Sequence, residues 1–482
     1  MSLSLRAPKH SLAPILLLSL VGCGGGGSGN PPPSQAPTLP PSNSAPQFTS
    51  ASTAEFAENT DGVAYTASAS DADGDSLEFS IVGGNDAAQF TLAGGDLSFA
   101  QTPDFEMPSD ADRDNVYEVT LSVRDPSGAS TTLDLTLNVS NDREGIQVTR
   151  MATLPGTVRA LGSGLDGEII AFRANGDIMI LDGADGSLTT QTQFGFQIVG
   201  TDVVTAIRSR EGTNGFLAGF YALGRRPSGE LVLRFLRDDG FTSAERLITS
   251  AASGKPMASL TQIGSSNELH IAVGVVEDSD AQDPNSDFGK LYQAIGDPFS
   301  GASVFSVSFS MNVIGDGVRQ PGGAGQIGDQ TLLADQGGSV EHEITFYPAN
   351  ARPIDFGWPD REGTQAITPN APDALNSPTL VYPVGENSFE GQGVVAGDVY
   401  SGSISELAGR YIFGDVDGSL YSIPLDVLTS GGLRNAADLE LRSSDFEPDV
   451  GAIDSPVSFA TDGNGGFFIL DSDGDLFRID EA

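Results

Sequence analysis

The chain has 482 residues, 65 of them acidic against 24 lysines and arginines, for a formal charge of -41. Such a surface repels phosphate backbones and anionic headgroups and attracts divalent cations, which excludes nucleic-acid binding as a function class. Solubility or adaptation to salty surroundings accounts for the charge equally well. At ~100–200 residues per domain the length allows two or three domains, and the single cysteine excludes an intramolecular disulfide.

In chain order, residues 1–23 read as a targeting segment. Arg6, Lys9 and His10 form a basic start and Ile15–Val21 a short apolar run. Leu20-Val21-Gly22-Cys23 then resembles the lipobox of bacterial lipoproteins. That resemblance implies lipidation at Cys23 and membrane attachment through the lipid, with Gly24 pointing to the outer membrane. An ordinary secretory signal with a free cysteine is the alternative, and either implies export. Residues 24–46 are glycine, proline and serine with almost nothing to bury, so they predict a tether stiffened by its prolines.

Residues 47–143 predict a β-sandwich. Leu77, Phe79 and Ile81 alternate with polar residues, as do Tyr117–Val123 and Leu133–Val139, and Asp125-Pro126-Ser127-Gly128 makes a turn between the last two runs. Acidic loops punctuate the strands: Glu58-Asn59, Asp71-Ala72-Asp73-Gly74-Asp75, Asp104-Phe105-Glu106, Asp112–Asn115 and Asn141-Asp142. This order resembles a cadherin repeat over nearly its whole length. The resemblance implies a Greek-key sandwich that binds calcium, which takes six to eight oxygens at roughly 2.3–2.6 Å. Glu58, Asp104, Glu106 and Asp142 would serve one end, and Asp71, Asp73 and Asp125 the other. Solvated loop carboxylates are the other reading of the same acids. Val139 and Arg143 depart from the repeat's linker pattern, and only one repeat is visible.

Residues 144–482 repeat a hairpin theme. The stretch Leu165–Ile178 reads strand, turn, strand; Asp417–Tyr421 and Asp473–Phe477 repeat its second half, and Gly465–Leu470 supplies a partner strand. Recurring hairpins with Asp-Gly and Asn-Gly turns predict propeller blades. Three stretches narrow the fold further: Gly315–Gly363 ending in Phe356-Gly357-Trp358-Pro359, Ala281-Gln282-Asp283-Pro284 with Gly289-Lys290, and Leu407–Asp415. Together they resemble the glucose/sorbosone dehydrogenase family, soluble quinoproteins on a six-bladed β-propeller. The expected architecture is therefore all-β, a six-bladed propeller preceded by a cadherin-like Greek-key sandwich.

The resemblance also says which residues would carry the chemistry. Family members oxidise sugars with pyrroloquinoline quinone (PQQ), a calcium ion and a histidine base, whose pKa suits proton abstraction near neutral pH. Arg319 and Gln320 fall on quinone-contacting positions, Gly337 and Gly338 on the carbonyl pair that holds calcium, and Glu343 on a carboxylate of a second calcium. The base position falls on Pro256 or Met257 and that of its acidic partner on Val275, none of which takes a proton. The arginine pair expected before the last blade is replaced by Asp454–Ser458. Of the three histidines, His10 lies in the signal, His270 in a strand where a structural role is expected, and His342 between two glutamates. The sequence thus predicts an exported, lipid-anchored, calcium-binding envelope protein. It would bind or adhere to a carbohydrate or protein ligand, with its sugar-oxidising site degenerate. The alternative is a PQQ-dependent aldose dehydrogenase whose base lies elsewhere.

Overall fold

The computed structural model describes residues 42–164, 167–192, 202–208, 219–237, 242–251, 254–264, 266–297, 308–373 and 376–482. Cys23 and most of the tether lie outside them. No described helix is long and apolar enough to cross a membrane.

The first domain is a two-sheet sandwich. One sheet orders Thr53–Ala57, Ser130–Ser140, Val116–Arg124 and Glu78–Gly83; Tyr65–Thr66, Asp96–Phe99 and Phe90–Ala93 form the facing sheet. Thr53–Ala57 runs parallel to Ser130–Ser140, and every other pair in these two sheets is antiparallel. The period-two pattern is realised as expected: Tyr117, Val119, Leu121, Leu135, Leu137 and Val139 are buried while their neighbours face water or loops. Phe90, Phe99 and Tyr117 fill the centre in tilted and edge-on contacts 4.7–5.9 Å apart.

Six four-stranded blades follow, the third extended by a fifth short strand. Their innermost strands are Val158–Ser163, Asp202–Arg208, Ala258–Gln262, Pro321–Ile327, Val394–Val399 and Pro456–Thr461, each beside the next and the last beside the first. The sixth blade takes three strands from the C-terminus and its outermost from Ile146–Thr153, registered against Asp475–Glu481. That pairing closes the ring and leaves no open sheet edge between first and last blades.

Second strands such as Phe467–Asp471 and Gln330–Asp335 are buried on both faces. The alternation expected of Thr331–Ala334 is therefore absent, because a blade is covered by a neighbour on either side.

Sandwich and propeller are docked rather than strung apart. Arg113 donates to the carbonyls of Ala436 and Leu439 and lies 3.3 Å over the Phe389 ring. Arg143 donates to the carbonyls of Asp445 and Glu447. Both departures from the repeat's linker pattern thus have a local reason, Val139 as core and Arg143 as an anchor on the propeller.

Candidate functional site

Three blades share a device at the upper end of their second strand. Asp335 accepts the amides of Arg319 and Gln320, Asp415 those of Gln392 and Gly393, and Asp471 those of Asp454 and Ser455. Each carboxylate is buried and clasps the turn into its own blade's innermost strand. In the first and second blades the same strand ends in Arg173 and Arg225, and in the third in Val273. The clasp explains the Asp454–Ser458 replacement, since this segment serves Asp471.

The quinone and calcium positions of the fourth blade are engaged in structure. Arg319 donates to the carbonyl of Gln336 and lies 4.8 Å over Trp358. Its guanidinium packs on Gly338, where a Cβ would come within 2.7 Å of Nη2. The amides of Gly338, Ser339 and Val340 all point at Oε1 of Glu362, at 2.6–2.8 Å. The loop at Gly337 and Gly338 is thus wound around one carboxylate with an arginine at its side. Gln320 contributes backbone: its carbonyl accepts from Gln336.

Glu343 is buried with Oε2 unpartnered, and burial, then Asp335 and Glu341, push its carboxyl well above the usual range. Its neighbours Asp335 and Glu341 accept backbone and side-chain donors, which leaves the Glu343 oxygen as the unpartnered member of the three acids. With Arg319 held by the Gln336 carbonyl and Trp358, and the Gly337–Gly338 loop wound on Glu362, these two positions do not fit a tricarboxylate quinone with its calcium.

Neither described histidine is placed as a base. His270 is buried, stacks on Tyr347 and contacts Glu268, and burial lowers its pKa. His342 is buried and accepts the Gly337 amide at Nδ1, which puts its proton on Nε2.

The innermost strands enclose a channel of about 760 Å³. Pro256, Met257, Ser259 and Thr261 line it from the third blade, and its charged lining is Arg159, Arg225, Lys255 and Asp398. No histidine lines it among the described residues. At the positions the resemblance assigns to the base and its partner, Pro256 accepts a hydrogen bond from Arg225 through its carbonyl, and Val275 donates its amide to the Arg319 carbonyl.

The second charged centre lies at the junction of the domains. Oxygens of Glu58, Glu106 and Glu144 lie within 4.8 Å of one another. Asp104 stands outside that group and caps the Met107 amide; Asp142 accepts the amide of Glu144. Into the cluster reaches Arg442, from the propeller. It pairs with Glu144 at 2.6 Å, Asp445 at 2.9 Å and Glu440 at 2.6 Å, and approaches Glu106 at 3.8 Å.

Asn59, Phe105 and Asp142 donate to Glu58, while Asn141 bridges Glu106 and Asp445. Burial, then Asp445, pushes Glu106 up to about 10, so this acid is held with its proton. With its oxygens met by amides and by the Arg442 guanidinium, the junction does not fit calcium. Glu144, Arg442 and Asp445 were invisible to motif reasoning because their partners are some 300 residues away; the Arg442/Asp445 spacing was the only local hint.

The far end of the sandwich differs. Asp73 accepts the Ser44 amide and Asp125 the Asn43 side chain, while Asp71 keeps a buried, unpartnered Oδ2. Burial, then Asp71, Asp125 and Asp73, raises the pKa of Asp75. The unpartnered Asp71 oxygen, with three further acids nearby, is the donor this end offers to a divalent cation. Asp110, Asp112 and Asp114 form a separate group that the sequence reading did not assign.

No protein-family model and no curated protein matches the chain. Among solved structures it is similar to a glucose dehydrogenase, with TM-score 0.50 and 14% identity over 70% of this chain and 100% of that one. It is also similar to the PQQ-bound aldose sugar dehydrogenase of Streptomyces coelicolor (TM-score 0.46, 15% identity, 70% and 98% covered). A third is the PQQ domain of pyranose dehydrogenase from Coprinopsis cinerea (0.47, 14%, 70% and 95%). The class is therefore an all-β protein whose larger domain is a six-bladed propeller of the fold found in that glucose dehydrogenase. At these identities the likeness concerns the fold alone.

Proposed function

We propose that this is an exported, lipid-anchored envelope protein whose propeller binds a carbohydrate ligand without oxidising it, with the cadherin-like sandwich as a rigid presenting module. One observation carries this reading: no histidine lines the channel among the described residues, and the resemblance puts the base on Pro256 or Met257 and its partner on Val275, none of which takes a proton. Calcium would stiffen the far end of the sandwich, through Asp71, Asp73 and Asp125, rather than the junction. Lipidation rests on Leu20–Cys23 and predicts that Cys23→Ser leaves the membrane fraction.

The deciding experiment is dye-coupled aldose oxidation after incubation with PQQ and calcium. Turnover no faster than a boiled control is expected; enzyme-like rates would overturn the reading. A dehydrogenase reading has one foothold, Asp398, the only carboxylate in the described channel lining. Activity abolished by Asp398→Asn would favour it.

A further inference from the structure

In a chain with 65 acids and 24 lysines and arginines, the described lining of the channel reverses the ratio, with three cations and one carboxylate. The topology gathers these cations at one mouth. Arg159 follows the first residue of the first blade's innermost strand, Arg225 ends the second strand of the second blade, and Lys255 precedes the innermost strand of the third. Arg225 donates to the Pro256 carbonyl, which fixes it beside Lys255.

Arg159 and Lys255 are exposed and make no ion pair among the described residues. On the opposite half of the ring, Asp335, Asp415 and Asp471 have their charge consumed by backbone amides. The lining cations are thus gathered on one half of the mouth, while the clasp acids of the other half are buried under backbone amides, in a molecule of strongly negative net charge. Cations held together at a concave, low-dielectric mouth focus potential on whatever enters.

A second observation points into the same cavity. The hydroxyl of Ser259 lines the channel, is 4% exposed as a residue, and has no hydrogen-bond partner. An unsatisfied buried hydroxyl is costly unless a ligand or water meets it. The volume, about 760 Å³, lies in the range of small-molecule sites.

We infer that the channel takes an anionic sugar, a saccharide bearing carboxylates, gripped by Arg159, Arg225 and Lys255 at the mouth and reached by the Ser259 hydroxyl within. This rests on the carbohydrate-binding reading above and adds the charge class of the ligand. It also gives the acidic exterior a role: a polyanion repelled by the acidic surface is steered to this cationic mouth.

The test is calorimetric titration of the full chain with oligogalacturonate, with its methyl ester as a neutral twin, and with PQQ as a non-sugar polyanion. The acid is expected to bind, the ester to bind at least about tenfold more weakly, and affinity to fall as sodium chloride is raised. Arg159→Gln with Lys255→Gln should abolish the preference for the acid. Ser259→Ala should weaken binding while leaving the unliganded melting temperature equal or higher, since it removes an unmet polar group. Equal binding of acid and ester overturns the charge assignment but leaves the carbohydrate reading standing. Binding of PQQ alone, or of none of the three, overturns the inference; quinone binding with sugar turnover would overturn both readings.

Discussion

The junction and the channel mouth are opposite solutions to one electrostatic problem. At the junction, carboxylates from two domains crowd a buried space, and the excess negative charge is met by Arg442 and by a proton on Glu106. At the mouth, cations gather with no carboxylate against Arg159 or Lys255 among the described residues. The first arrangement completes itself and holds two domains together. The second is incomplete without something from solution. Charge that is internally matched reads as structure; charge left unmatched in a concavity reads as a site.

The comparison can be broken most forcefully at Arg442. Arg442→Met removes the one cation shared by Glu144, Glu440 and Asp445, and breaking a buried pair costs about 3–5 kcal/mol. Urea unfolding should show that loss, and calcium should restore part of it in the variant while leaving the parent junction unaffected. A variant as stable as the parent would mean the cluster is not a lock.

Next in size is the clasp. Asp415→Asn leaves amide donors at Gln392 and Gly393 poorly matched and should cost about 1–3 kcal/mol, read by thermal unfolding. Glu343→Gln, by contrast, replaces an acid already holding its proton and should change stability little at neutral pH.

A finer probe is pH. Glu106, Glu58 and Glu144 bind protons in the folded state at pH values where the unfolded chain has released them. Their contribution is present in full below the ordinary value of 4.5 and declines as pH rises above it, for Glu106 towards about 10. Urea midpoints measured from pH 6 to pH 9 should therefore fall, and Glu106→Gln should flatten that slope. Glu440, whose pKa is lowered despite burial because Arg442 and Arg410 face it, acts in the opposite sense below pH 4.5.

The smallest effect is expected at the mouth. Arg159→Gln and Lys255→Gln remove exposed charges that make no ion pair among the described residues and should shift stability by no more than about 0.5 kcal/mol each. A larger loss would show that these cations are structural after all and erase the contrast with the junction.

Much of the fold was legible in the chain. Alternation in Tyr117–Val123 set the sandwich strands, and the Asp-Gly turns at Asp417 and Asp473 marked blade hairpins at the observed places. Both are local signals, carried by residues a few positions apart. The candidate site was legible mainly in its deletions, at Pro256 and Val275.

What remained hidden were positions such as Glu144, whose arginine lies 298 residues further on, and Arg159, whose companions come from other blades.

By itself, then, the sequence determined the all-β class and the blade and sandwich hairpins. Only the tertiary structure decided which charges meet. Ring closure sets Arg159, Arg225 and Lys255 on one opening, and domain docking sets Arg442 among the acids. The reason is physical: backbone geometry and turn chemistry act over a few residues, whereas Coulomb pairing depends on distance through space, which no stretch of sequence specifies alone.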